Sequence, residues 1–148
     1  MEEPRLVGRL VTLLLESVLK GQPYPGQTAQ TSSFPDIEVV RGRDEILVST
    51  ENLEKGSRIE VPGANIRLLP REQIFERAAS EPLPFFSVTN VKLGEDQATL
   101  SLQLSWAKPH TGEIGEARSL GGGGVRVRFV KTEAGWQAPD GPLATWIS

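Results

Sequence analysis

The chain has 148 residues, 38% hydrophobic and 24% charged, with a formal net charge of −3 and no cysteine. That balance suits one soluble globular domain with a sizeable core, unlike a disordered or fibrous chain. The acidic balance speaks against a general nucleic-acid binder, which carries a positive field, and the missing thiols exclude disulfides, thiol catalysis and thiolate metal sites.

The opening Met-Glu-Glu-Pro lacks the basic start of a secretory signal. The apolar run over 6–19 is interrupted by Gly8, Arg9, Thr12, Glu16 and Ser17, too short and too polar to span a bilayer. A cytoplasmic protein without membrane contact is expected. Residues 4–20 instead read as an amphipathic helix. Leu6, Leu10, Leu14 and Val18 form one row, Val7 and Val11 widen it, and Arg5, Arg9, Thr12, Glu16 and Lys20 make the wet stripe. Pro4 suits the first turn and Gly21 the exit.

Residues 22–36, rich in Pro, Ser, Thr and Gln, read as a linker inside the single domain. Segments 37–40 and 45–50 flank Arg41-Gly42-Arg43-Asp44 and predict a hairpin. Residues 58–61 predict a short strand ending at the turn pair Pro62-Gly63, and 66–69 another short apolar run. A short helix is expected from Pro70 to about Ser80, with Ile74, Phe75 and Ala78 on its inner edge.

The clearest signal follows. Residues 85–93 predict a strand, Gly94-Glu95-Asp96 a turn, and 97–106 alternate strictly. Ala98, Leu100, Leu102, Leu104 and Trp106 point one way; Thr99, Ser101, Gln103 and Ser105 point the other. Burial of Leu100, Leu102, Leu104 and Trp106 would contribute roughly 6–12 kcal/mol gross, at about 1.5–3 per side chain, so this face needs a cover. Residues 108–124 predict a long polar connection, 125–131 a second alternating strand, Ala134-Gly135 a turn, and 143–147 a terminal strand. The sum is an α+β fold: a curved antiparallel sheet of four to six strands packed against the N-terminal helix and one short helix.

This order of elements, together with the closing Val-Arg-Phe-Val-Lys…Gly-Trp-Gln, resembles the nuclear-transport-factor-2-like, cystatin-like cone. The resemblance implies a sheet wrapped round the leading helix. It implies no single function, because enzymes, small-ligand binders and interaction modules share that architecture. The inward acid and tyrosine of its ketosteroid-isomerase-type members have no counterpart: the one tyrosine, Tyr24, lies in the linker.

No catalytic or metal-binding signature stands out. His110, the one histidine, sits in a turn sequence, and a histidine zinc site would need further ligands. The run Gly121 to Gly124 leads into a strand rather than a helix, which fits a bulged strand start better than a phosphate loop. Glu95 and Asp96, and Glu113 and Glu116, occupy turns and connections. The reading is a non-catalytic binding or protein-interaction module without cofactor, forming a homodimer through the polar outer face of the sheet. The alternative is a pocket for a small apolar ligand, or a cone-fold enzyme acting on one, walled by Phe85, Phe86, Trp106 and Phe129. Arg126 and Arg128, which share a strand face, are candidates for anion or partner contact.

Overall fold

The computed structural model describes residues 6–26, 34, 37–108, 119–140 and 142–146. The helix α1 (Leu6–Lys20) buries Leu6, Val7, Leu10, Val11, Leu14, Leu15 and Val18, the expected row widened by Leu15. The chain leaves it at Gly21 in the left-handed conformation (φ 65°), with Gln22 N–H donating to Ser17 C=O at 2.9 Å. Among the described residues no helix is long and apolar enough to cross a membrane.

Side chains from distant segments hold both ends of α1. At the start, Val7 and Gly8 N–H donate to the two carboxylate oxygens of Glu54, at 2.9 and 3.2 Å. This satisfies helix-end donors and sets a negative charge against the positive end of the dipole. The approach is close: a Cβ at Gly8 would sit 2.9 Å from Ser57 Cβ, so only glycine fits. At the finish, Arg41 donates to Leu19 C=O through Nε and to Val18 C=O through Nη2, each at 2.9 Å, and to Glu38 Oε1 at 2.6 Å.

Arg41 ends a second helix, α2 (Glu38–Arg41), where a strand of a hairpin was expected. The β-branched residues there suggest a strand, but Phe34, Ile37 and Val40 recur every third residue and all face the core, a spacing that a helical turn matches and a strand cannot. The sheet therefore starts at β1 (Ile46–Ser49). It continues through β2 (Ile66–Leu69), α3 (Arg71–Arg77), β3 (Leu83–Leu93), β4 (Gln97–Ala107), β5 (Ser119–Thr132), β6 (Gly135–Gln137) and β7 (Pro142–Trp146). The chain is α+β, with a curled seven-stranded sheet in the order β2-β1-β3-β4-β5-β6, and β7 also on β5.

The sheet is mixed rather than wholly antiparallel: β1 pairs in parallel with both β2 and β3. Parallel neighbours need crossovers, and both are present, one through residues 50–65 and one through α3. The expected strand at 58–61 forms no ladder, and the expected connection before Gly124 is shorter, because β5 begins at Ser119.

Two bulges curl the sheet. Asn90 (φ 52°) and Val91 together oppose Leu100, and Gly122 and Gly123 (φ 104°) together oppose Leu104. The glycine run thus serves as a bulge, with a positive φ that a side chain would strain. The curled inner face presents Phe86, Val88, Leu100, Leu102, Leu104, Val125, Val127 and Phe129 to α1, and all are fully buried with it in one cluster. The expected linker contributes to the same cluster. Tyr24 is 1% exposed, and Phe34 meets Phe86 edge-on at 5.6 Å. The rest of that segment, 27–33 with 35–36, lies outside the described residues.

Because Arg41 satisfies two end carbonyls of α1 at once, Arg41→Ala is expected to cost about 1–2 kcal/mol, a fall in melting temperature of roughly 2–8 °C. Arg41→Lys should recover less than half, since one ammonium cannot reproduce the planar fork. A melting temperature unchanged by Arg41→Ala would contradict this role.

Candidate functional site

The outer face of the sheet divides in two. Over β1 and the start of β3, α3 packs Ile74 and Ala78 onto Leu47, Leu69, Phe85 and Ala107, a second apolar cluster. Arg71 closes it, its guanidinium carbon 5.3 Å from the Phe75 ring centre and 5.9 Å from that of Phe85. Beyond α3 the register aligns Ser87, Gln103 and Gly124 in one row, and Thr89, Ser101, Arg126 and Ala144 in the next. Ser49, Ser87, Ser101 and Ser105 are buried. Arg126, half-buried, donates to Ser101 Oγ at 3.4 Å, and Arg128 pairs with Asp140 at 2.6 Å. Trp146 of β7 closes the row. A Cβ at Gly124 would sit 2.5 Å from its ring, so the indole occupies the room that the glycine leaves.

Arg126 and Arg128 therefore share the outer face, as their alternation predicts. The four proposed wall residues do not share one. Phe86 and Phe129 are at 0% exposure in the main core, and Phe85 points to the opposite face beneath α3. Trp106, half-buried, pairs with Pro84 toward the strand end. The rings of the three phenylalanines are spent on packing. An open cleft of about 600 Å³ lies at the other end of the sheet beside Arg43, Asp44, Glu45 and Arg77. There Glu45 binds both Arg77 and Arg67, the latter at 3.5 Å.

Among the described residues no group of three or more His, Cys, Asp or Glu is arranged to hold a metal. His110, Glu113 and Glu116 lie outside the described residues. The alternation gave no hint of Asp140 or Trp146 on this face, because Asp140 reaches it from the turn before β7 and Trp146 from the end of β7. No family model, curated protein or solved structure matches this chain.

One titratable group stands apart. The Tyr24 hydroxyl is buried without a hydrogen-bond partner among the described residues, and burial pushes its pKa up from 10.0 to about 12. The phenol stays neutral and its ring acts as a core anchor. The folded state holds its proton more tightly than the unfolded chain, so this contribution to stability is full below pH 10. It is lost as pH rises through 10 toward 12, by about 3 kcal/mol in all. As the one tyrosine, it can be followed by absorbance at 295 nm. The folded protein should titrate near pH 12 and the urea-unfolded chain near 10. Tyr24→Phe, which removes an unsatisfied hydroxyl, should be at least as stable as the parent at pH 7 and lose less stability above pH 10. A folded-state midpoint near 10 would overturn the assignment.

Proposed function

We propose that this chain is a non-catalytic protein-interaction module that pairs with a second copy of itself through the outer face of β3, β4 and β5. The observation that carries the reading is the contrast between the two faces of one sheet. The inner face is filled by α1 and fully buried. The outer face beyond α3 is a floor of short hydroxyls, Gln103 and two arginines, with no described element over it.

Thr89, Thr99 and Gln103 stay partly exposed on this face, and a threonine hydroxyl and a glutamine amide both donate and accept, so the face can complement a rotated copy of itself, as a two-fold interface requires. The Arg128–Asp140 pair offsets one of the two cations, which reduces repulsion between copies. The surface is polar, in keeping with a wet interface of moderate affinity. A kinship with the nuclear-transport-factor-2-like cone belongs to the same proposal. The leading helix held against a curled sheet and the Gly135-Trp136 hairpin support it.

Light scattering at micromolar concentration should give a species of twice 16.1 kDa. Gln103→Arg, which sets an extra cation beside Arg126 in each copy, should give the 16.1 kDa species, with stability changed by less than about 0.5 kcal/mol. A parent protein that runs at 16.1 kDa throughout would contradict the proposal.

A further inference from the structure

Residues 58–61 alternate like a strand and pair with none. Ile59 and Val61 are buried in the main core, and Arg58 and Glu60 are exposed, yet among the described residues no strand is bonded to them. The turn that follows explains why. Ala64 N–H donates to Val61 C=O at 3.0 Å across Pro62 and Gly63, and Gly63 has φ 83°. Proline at the first central position and a positive φ at the second make a type II turn, whose twist splays the arms of a hairpin.

The second arm becomes β2, the edge of the sheet. Ile46 N–H donates to Asn65 C=O at 2.8 Å and Thr50 N–H to Leu69 C=O at 3.0 Å. In a parallel ladder alternate residues serve the same neighbour, so the backbone groups of Ile66 and Leu68 point away from β1. No backbone bond engages them on that side among the described residues. Between the splayed arms lies a cleft of about 450 Å³, lined by residues 59–62 and 64–66. Counting outward from the turn sets Ile59 opposite Ile66, both turned toward the core, and Arg58 opposite Arg67, both exposed. Arg58 has no ion pair among the described residues, and Arg67 shares Glu45 with Arg77.

We propose that this cleft receives an extended segment of another protein, about four residues long, in which apolar residues alternate with acidic ones. The segment adds a strand to β2, a length of four residues. Its backbone bonds to Ile66 and Leu68, its apolar side chains settle beside Ile59 and Ile66, and a carboxylate meets Arg58 and Arg67. The unpaired edge supplies affinity, and Arg58, which has no ion pair among the described residues, selects charge. This surface lies on the sheet edge away from β5, so its test is independent of self-association through the outer face.

The probe is a fluorescein-labelled peptide, Thr-Val-Glu-Val-Glu-Val, titrated by fluorescence anisotropy against the full chain. Saturable binding is expected. It should weaken about tenfold or more when the peptide amides facing β2 are N-methylated, and also when both glutamates become lysine. Pro62→Asn should abolish it, because Asn-Gly favours the type I′ turn that lets the two arms pair with each other. Hydrogen exchange at Ile66 and Leu68 should slow on binding. The proposal is overturned by no saturable binding up to about 1 mM peptide, by equal binding of the N-methylated peptide, or by protection at β7 instead of β2.

Discussion

The burial of one face of α1 against the inner face of β3, β4 and β5 is the contact on which the rest of this structure depends. Leu10, Leu14 and Leu15 from the helix and Leu100, Leu102 and Leu104 from the sheet are each at 0% exposure in one cluster. Each such side chain is worth about 1.5–3 kcal/mol gross, and neither surface could stay in water alone. A helix of fifteen residues is marginal by itself, so α1 owes its persistence to this packing and to the side chains at its ends.

Those end contacts explain the otherwise irregular middle of the chain. Residues 50–57 carry Glu54 to the start of α1, and Asn52 Nδ2 ties the same loop to β3 by donating to Val88 C=O at 2.6 Å. The helix α2 carries Arg41 to its finish. Between them, Phe34 and Tyr24 fill the flank. The first crossover from β1 thus also clamps the start of the helix, and α2, which precedes β1, clamps its finish.

What was legible in the sequence was whatever a local period reports. The strict alternation over 97–106 located β4 and its buried face, the row from Leu6 to Val18 located α1, and Pro70 marked the entry to α3. Partners were not legible, because a pattern names a dry face without naming its cover. Residues 37–40 look like a strand by propensity, and only the distant demand for Arg41 and the three-residue spacing of Phe34, Ile37 and Val40 make them helical. Parallel pairing at β1 leaves no local trace at all. At the candidate site, the alternation of 125–131 correctly turned Arg126 and Arg128 outward. The same rule forbids Phe85 and Phe86, adjacent on one strand, from lining one wall. Trp146 was invisible because the pairing of β7 with β5 brings it in, and Asp140 because it meets Arg128 from the turn before β7.

A sheet whose inner face is consumed by a helix offers partners its outer face and its edges, and that division underlies the functional reading. It requires α1 and the central strands to open together, as one cooperative unit. Native-state hydrogen exchange measures this most directly. The amides of Leu10 and Leu14 should exchange with the same opening free energy as those of Leu102 and Val127, equal to that of global unfolding. Exchange of α1 through a separate opening of lower energy, with the strands still protected, would contradict the account.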